Sequence, residues 1–379
     1  MPALPEILVM GDGFAGRAMA LAWAQSGGTA TIIAPKTTHH LSGGVQLAPN
    51  GWAALKTLAV DDAAQQSASP LSMMRLLSCT TGNSLVQINL NTPRRRPYTG
   101  MDRGGLMAVL ADACTATSRI TWHDGAAQNL TSQADGATLT LADGKTLTAP
   151  FIIGADGANG IARAYVMAED TPTPPAETRH AFRCVIPLDQ LPDLFAAKAT
   201  SVWLGDGAHL VFYPLAGGML NLVLVTTAGT SSHRQALALL RAQPLLAPLI
   251  PFVEAVNPAP LYRYAPLDTL RRGRVILAGD AAHPMPPHLA QGAGQSLVDA
   301  ASLQSALTAA AVSDISEISG LFTTWSASRL KATRSIQQKA DRAGRLFGLD
   351  GPMAALRNIG LSTLGGPAME HALDTIWQS

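Results

Sequence analysis

The amino-acid sequence predicts an α/β fold built on a parallel β-sheet. Short apolar runs that end in glycine recur along the 379 residues, as expected of strands that are buried on both faces. The first run, at 7–10, is followed by a glycine turn, a helical stretch and a second apolar run at 29–33, which together form a strand–helix–strand unit. Hydrophobic residues make up 47% of the chain and charged residues 14%, so we expect a large core and exclude disorder.

Composition also narrows the classes of partner. The 27 Lys and Arg residues balance 26 Asp and Glu residues, which argues against a nucleic-acid partner because phosphate binding needs a basic surplus. The only tight basic run is at 94–96. Three cysteines without a CxxC pair predict neither a disulfide framework nor a metal site, and they favour a cytoplasmic location. No stretch approaches the ~20 apolar residues of a membrane helix and the first strand begins too early for a cleavable leader, so we expect no integral membrane segment.

The glycine turn after the first strand has the spacing of a phosphate-binding loop. It reads GDGFAG at 11–16. Gly11 permits the tight turn, Gly13 allows a pyrophosphate to approach the backbone, and Gly16 lets the helix pack closely on the strand. The predicted phosphate-binding residues are therefore Gly11, Gly13, Phe14, Ala15 and Gly16.

One expected element is missing from this unit. In dinucleotide-binding proteins an Asp or Glu at the end of the second strand, about 20 residues further on, binds the adenosine ribose. Here the strand end reads Ala34-Pro35-Lys36. The ribose would then be held by backbone, by water or by Lys36, which could instead meet a phosphate.

Two later apolar runs, each predicted to be a strand, are followed directly by a turn that contains an aspartate. Residues 151–157 read FIIGADG and residues 274–284 read RVILAGDAAHP. Each would place a carboxylate, that of Asp156 or Asp280, at the carboxyl edge of a parallel sheet, where α/β proteins bind ligands. Asp280 could accept hydrogen bonds from a polyol chain. The segment 292–294, which opens the next helix, offers free N–H groups to a partly negative ligand edge.

With these three motifs in order, the sequence resembles the single-component FAD-dependent aromatic hydroxylases, which have the fold of para-hydroxybenzoate hydroxylase. The resemblance implies a Rossmann-like FAD-binding domain, an inserted, mainly antiparallel β-sheet substrate domain and C-terminal helices. It also implies that NADH or NADPH reduces FAD as a transient reductant, and that O2 then hydroxylates a phenolic or heteroaromatic acid through a flavin hydroperoxide. The further residues that match flavin-site positions of the family are Gln46, Arg103, Asp156, Gly157, Gly279, Asp280, Pro287, Gly292, Ala293 and Gly294. The chain departs from the family pattern at Ala34, where an acid is usual, and at Gly160, where a serine is frequent.

Within this family the sequence looks most like the salicylate and hydroxynicotinate hydroxylases. The similarity rests on WLGDGAHLVFYP at 203–214 and on HPM at 283–285. Two alternatives stay open. One is a ubiquinone-biosynthesis hydroxylase of a lipid-tailed phenol, although such enzymes usually have a second histidine where Pro286 stands. The other is a catalytically silent flavin- or ligand-binding homologue, which the absence of an acid at Ala34 leaves open.

The aromatic substrate is expected on a strand of the inserted domain. The segment 203–211 alternates as a strand does, so His209 and Tyr213, four residues apart, would share one face. In hydroxynicotinate- and hydroxybenzoate-type relatives the matching His and Tyr contact the ring, and such a pair can orient a phenol and move its proton. His288, in the proline loop expected near the flavin, is a second candidate acid–base. The alternatives are a satisfied strand histidine, a core tyrosine and an exposed loop histidine.

The predicted organisation is discontinuous. The FAD-binding domain would comprise 1–70, 98–170 and 268–320, the substrate domain 71–97 and 171–267, and the C-terminal helical segment 321–379. Helices are expected at 296–312 and 321–349. The charged face of the second helix is best explained by solvation, with a homodimer as a possibility.

Overall fold

The computed structural model describes residues 4–36, 43–93, 95, 97–168, 176–310, 312 and 314–378. Of the basic run at 94–96, only Arg95 is among the described residues.

Strands, singly or in consecutive runs, are separated by helices in the first half of the chain, and helices dominate its end. The strands are β1 (Glu6–Met10), β2 (Thr29–Ala34), β3 (Gly44–Leu47), β4 (Ala68–Pro70), β5 (Met73–Ser78), β6 (Ser84–Asn89), β7 (Thr99–Asp102), β8 (Ile120–Asp124), β9 (Ala127–Ser132), β10 (Ala137–Leu141), β11 (Thr146–Ala149), β12 (Phe151–Gly154), β13 (Ala176–Pro187), β14 (Ala199–Leu204), β15 (His209–Leu215), β16 (Met219–Thr227), β17 (Ala259–Arg263), β18 (Arg271–Arg272) and β19 (Val275–Leu277). The helices are α1 (Phe14–Gln25), α2 (Pro49–Thr57), α3 (Asp61–Gln65), α4 (Arg103–Thr115), α5 (Ile161–Met167), α6 (Ser232–Arg241), α7 (Ile250–Glu254), α8 (Gly292–Ala310), α9 (Ile315–Phe347), α10 (Gly351–Gly360) and α11 (Gly366–Trp377).

A six-stranded sheet carries all three sequence motifs. Its strand order is β18-β19-β12-β1-β2-β8, and every neighbouring pair except β18–β19 is parallel. The three strands that end in motif turns, β19, β12 and β1, are therefore adjacent. Because carboxyl ends of parallel strands lie at one edge of a sheet, the fold brings the three turns together.

The core of this part lies between the sheet and helices α1, α8 and α9. Helix α1 is rich in alanine, which favours a helix, and its small side chains let α8 pack closely against it. Trp23 of α1 stacks on Phe322 of α9 with ring centroids 5.8 Å apart. Phe151 of β12 contacts the same ring at 5.0 Å, so one aromatic cluster ties the sheet to both helices.

A seven-stranded sheet forms a second layer. Its order is β17-β13-β16-β15-β14-β5-β6, and all pairs are antiparallel except β14–β5. One face packs apolar side chains such as Phe182, Leu210 and Leu222 into a core that includes residues of α6 and α7. The opposite face is directed at the first sheet's motif turns through a cavity described below. The predicted fold class, α/β with an inserted, mainly antiparallel sheet and C-terminal helices, is confirmed. The exact domain limits stay a prediction.

The long helix α9 begins earlier than the sequence suggested. It starts at Ile315 and not at 321, because the Asp314 carboxylate accepts hydrogen bonds from the N–H groups of Ser316 and Glu317 at 2.8 and 2.9 Å. This cap satisfies two donors that a helix start leaves unpaired. None of the described helices combines the length and the apolar composition needed to cross a bilayer.

Candidate active site

The three motif turns pack against one another. Ala155 N donates to Met10 O at 2.8 Å, and Ala278 N donates to Gly154 O at 2.9 Å, so β1, β12 and β19 stay paired up to their turns. A Cβ on Gly11 would lie 2.4 Å from Ala155 O, and one on Gly279 would lie 2.4 Å from the Ala15 side chain. Glycine is therefore required where the first turn meets the second and where the third meets α1.

In front of this turn cluster there is room for a ligand. A Cβ on Gly13 or on Gly292 would meet no heavy atom within 4 Å. Both glycines lie at the starts of helices, α1 and α8, where free N–H groups and the positive end of the helix dipole attract phosphate. By contrast, a Cβ on Gly16 would lie 1.9 Å from Gly11 O. The geometry separates a packing glycine from two that face open space, as a dinucleotide cradle requires.

The Asp156 side chain caps helix α5. One carboxylate oxygen accepts from Ala162 N at 3.0 Å and so caps α5, while the other, Oδ1, is buried without a partner. Burial raises the pKa of this carboxyl above its ordinary value. A Cβ on Gly160 would lie 2.1 Å from the Asp156 carboxyl carbon, so a serine would not fit at this departure from the family pattern unless Asp156 moved. The proposed contact of Asp156 and Gly157 with FAD stays a prediction.

The Asp124 carboxylate lies next to Ala34, the strand end where dinucleotide-binding proteins usually carry an acid. Ala34 at the end of β2 pairs in register with Asp124 at the end of β8. Asp124 Oδ1 accepts from the backbone N of Lys36 at 3.0 Å, and both side chains are exposed. The sequence analysis missed Asp124 because its proximity depends on the parallel pairing of β2 with β8.

A cavity of about 320 Å³ joins the motif turns to the second sheet. Of the predicted site residues it is lined by Phe14, Gln46, Arg103, His209, Tyr213, Asp280, Pro287, His288, Gly292 and Ala293. The other predicted residues lie outside its lining: Gly11, Ala15, Gly16 and Gly279 pack the turns, Gly13 faces open space, Gly294 lies in the first turn of α8, Asp156 and Gly157 precede α5, and Lys36 follows β2.

The sheet face in the cavity follows the strand register. His209, Val211 and Tyr213 of β15 alternate onto this face, as the even spacing predicts. The expectation of one strand across 203–211 is wrong, because a turn at 205–208 separates β14 from β15 and the two strands pair antiparallel. Four residues at about 3.3 Å each place the Cα atoms of His209 and Tyr213 about 13 Å apart. The two side chains therefore enter the cavity from well-separated positions along β15.

His209 lies in a cluster of three rings. Its ring centroid is 5.2 Å from that of His288 and 5.3 Å from that of Phe347. Burial lowers the pKa of His209 well below its ordinary value, and the charges of His288, Arg179 and Arg357 add to this effect. Burial, with the charge of Arg179, lowers the pKa of His288 to about 4. Both rings are neutral at neutral pH, and each has a buried Nδ1 without a hydrogen-bond partner among the described residues.

The other end of the cavity holds hydroxyl and amide groups. Burial raises the pKa of Tyr213, so its hydroxyl stays protonated and can donate a hydrogen bond. Gln46 Oε1 accepts from Tyr98 Oη at 3.0 Å and from Thr200 Oγ1 at 2.8 Å. With the oxygen satisfied, the Gln46 amide group is oriented, and its N–H groups are the part left to bind a ligand.

Arg183 is a cavity residue that the sequence analysis did not single out. It lies on β13 in the register row of Val223 and Val211, which line the same cavity. Burial and the neighbouring Arg103 charge lower the pKa of Arg183, and Arg103 itself lies over the Phe14 ring at 5.4 Å. The signal available in the sequence was an arginine between the apolar residues Phe182 and Cys184 of β13.

A buried polar network fixes the third turn. The Asp299 carboxylate accepts from Gly279 N at 2.8 Å, from His283 Nε2 at 2.7 Å and from Arg329 Nε at 2.7 Å. Burial alone would raise the pKa of Asp299, but His283 and Arg329 lower it to about 2. Arg329 also donates to Gln295 Oε1 at 2.6 Å in the first turns of α8. The turn of Gly279 and the start of α8 are therefore held in one arrangement.

Comparison with known proteins decides the family. A family model described as an FAD binding domain matches residues 5–234 and 261–340. The chain belongs to this FAD-binding family. It is 29% identical over 390 aligned positions to the 3-amino-4-hydroxybenzoate 2-monooxygenase PtmB3 of Streptomyces platensis, covering 98% of this chain and 95% of the relative. It is 29% identical over 328 positions to the 6-hydroxynicotinate 3-monooxygenase of Bordetella bronchiseptica, covering 80% and 82% of the two chains.

A solved structure shares the fold. The structure of Klebsiella pneumoniae HpxO complexed with FAD and uric acid superposes with a TM-score of 0.84 at 21% sequence identity, covering 98% of this chain and 96% of that chain. The family, the fold class, the FAD cofactor and the class of flavoprotein aromatic hydroxylase that the sequence predicts are confirmed. The roles of the individual site residues stay predictions.

Proposed function

We propose that this flavoprotein hydroxylates a compact, single-ring aromatic acid with NADH or NADPH as reductant and O2 as oxidant. The observation that carries the proposal is a single cavity whose lining includes Asp280 and Gly292 of the sequence motifs together with His209 and Tyr213. Its volume of about 320 Å³ lies at the low end of small-molecule sites, which span roughly 300–1,000 Å³. Because the flavin ring would share this volume with the substrate, the space that is left favours a single ring.

The chain's own residues supply position and proton control. When bound, FAD supplies the redox chemistry that activates oxygen for transfer to the ring. Neutral His209 can accept a hydrogen bond from a ring hydroxyl, which increases the electron density of the ring carbons. Protonated Tyr213 can donate a hydrogen bond to a polar group of the substrate. The ring cluster of His209, His288 and Phe347 excludes water from this end.

The charges in the cavity favour an acid over a neutral phenol. Arg103 and Arg183 both line it, and Asp280 is the only carboxylate among its described lining residues. Two guanidinium groups that line one cavity are stabilised by an anionic ligand between them. A substrate carboxylate provides that anion.

The residues proposed for FAD divide along its length. The glycines of the first turn and the start of α1 would hold the pyrophosphate, and Asp280 the ribityl chain. Gln46, Arg103 and the start of α8 would surround the ring system, and Lys36 with Asp124 would hold the ribose. Exposed Asp124 supports this assignment because it presents a carboxylate beside the strand end where Ala34 provides none.

Two further readings remain distinguishable by experiment. The named relatives are hydroxylases of hydroxybenzoates and of hydroxynicotinate, which supports a ring acid over a lipid-tailed phenol. A silent flavin-binding homologue would bind FAD but show no substrate-stimulated oxidation of NADH.

The test is a screen of phenolic and heteroaromatic acids for stimulated NADH consumption with formation of a hydroxylated ring. We expect His209→Ala and Tyr213→Phe to keep bound FAD while NADH oxidation becomes uncoupled from hydroxylation, so that hydrogen peroxide replaces ring product. Wild-type coupling in both variants would remove these residues from the site. Failure of every ring acid to stimulate the wild-type protein would overturn the function.

A further inference from the structure

A second cavity of about 200 Å³ adjoins the cavity of about 320 Å³ that contains His209 and Tyr213, which we call the ring cavity. Of the described residues, only His288 lines both. Its walls come from β13, β17, α9 and the segment 286–288 between β19 and α8. We call it the basic cavity.

Positive charge dominates the basic cavity. Three guanidinium groups, those of Arg179, Arg263 and Arg345, face one carboxylate, that of Asp341. Arg263 Nε donates to Asp341 Oδ2 at 3.1 Å, which neutralises one guanidinium. Arg179 donates to a backbone carbonyl, Gly207 O, at 3.2 Å, and burial lowers its pKa. Two cations are therefore left without a carboxylate among the described residues, an arrangement that favours an anionic ligand.

An aromatic ring stands beside these cations. The Tyr262 side chain belongs to the same wall and is 39% exposed. Tyrosine faces stack with nucleobases and other flat rings. An arginine cluster next to an exposed aromatic suits a ligand that carries both phosphate and a flat heterocycle.

We propose that the basic cavity binds the phosphates of the nicotinamide dinucleotide reductant, with a ring of that ligand on Tyr262. The proposal rests on the proposed function, which requires NADH or NADPH to reach the flavin site. A cavity that shares His288 with the ring cavity holds the reductant's anionic centre next to that site. No separate nicotinamide-binding unit is needed for this arrangement.

Arg345→Gln tests the site, and Arg342→Gln is its matched control. Both arginines are exposed on α9, but only Arg345 lines the basic cavity. The readout is the Kd of ADP-ribose for the FAD-loaded protein, measured by calorimetry, because ADP-ribose carries the pyrophosphate and adenine without the reactive ring. We expect Arg345→Gln to raise this Kd about two- to fivefold and Arg342→Gln to leave it unchanged. Tyr262→Leu should also raise it.

Anaerobic flavin reduction provides the second measurement. The Kd for NADH should rise in Arg345→Gln by the same factor while the limiting rate of reduction is preserved. Equal values in Arg345→Gln and Arg342→Gln, or a rise in the Kd of 3-hydroxybenzoate in place of that of ADP-ribose, would overturn the proposal. Binding of ADP-ribose that depends on Arg345, in a protein that hydroxylates no ring acid, would support the site and refute the function. Hydroxylation of a ring acid by the wild-type protein, together with ADP-ribose binding that Arg345→Gln leaves unaltered, would support the function and refute the site.

Discussion

Gly13→Ala should separate folding from FAD binding. Gly13 has φ of −68°, which alanine adopts freely, and a Cβ there meets no heavy atom within 4 Å. Alanine is a poorer N-cap than glycine, but it also reduces the entropy of the unfolded chain. The two effects oppose each other, so we expect the free energy of unfolding of the FAD-free protein to change by less than about 1 kcal/mol.

FAD binding should respond strongly to the same change. The new methyl group would occupy the space in which the pyrophosphate approaches α1, and at least one backbone hydrogen bond to phosphate would be lost. Hydrogen bonds to charged groups contribute about 1.5–3 kcal/mol, so the Kd for FAD should rise about ten- to a hundredfold.

The assay titrates FAD-free protein with FAD by flavin fluorescence and records thermal unfolding of the same samples. Gly320→Ala, which also adds a methyl group in open space but on α9, should leave the Kd for FAD unchanged. An unaltered Kd in Gly13→Ala would refute the placement of the pyrophosphate. A strongly destabilised FAD-free protein would refute the reasoning about open space.

Three further changes test the carboxylates. Asp299→Asn should lower the free energy of unfolding, measured in urea, by about 3 kcal/mol because it leaves Arg329 buried beside a neutral side chain. Asp268→Asn, in an exposed ion pair, should have no measurable effect. Equal effects of the two substitutions would contradict the role of the Asp299 network. The pKa of Asp299 is lowered to about 2, so the stability that its charge contributes is fully present above about pH 4 and is lost as pH falls toward 2. Thermal unfolding across this range should show a larger fall in stability in the wild type than in Asp299→Asn. Parallel stability curves for the two proteins would contradict this role of Asp299. Asp124→Asn should raise the Kd for FAD about threefold, while Asp143→Asn on the β10–β11 hairpin should not, and an unchanged value in both would remove Asp124 from the ribose site.

The parts of the molecule that the sequence predicts best depend on local chemistry. Each glycine turn after β1, β12 and β19 is encoded by consecutive residues, so the strands and turns can be predicted from residue spacing. Their meeting at one edge of the sheet then follows from the rules of parallel sheets. His209 and Tyr213 are likewise on one strand, and period-two alternation places them on one face.

The parts that the sequence does not predict depend on pairing between distant segments. Asp124 comes next to Ala34 only through the parallel register of β2 and β8. Arg183 enters the cavity through the register of β13 with β16. The basic cavity combines β13, β17 and α9, so no run of sequence reveals its charge.

The most direct test of the account is a crystal structure of the protein with FAD and a ring acid bound. We expect the pyrophosphate at Gly13, the ribityl chain at Asp280 and the aromatic ring between His209 and Tyr213. An FAD molecule that leaves Gly13 uncovered, or a ring bound away from the β15 face, would contradict the claim that the three turns and the second sheet form one active site.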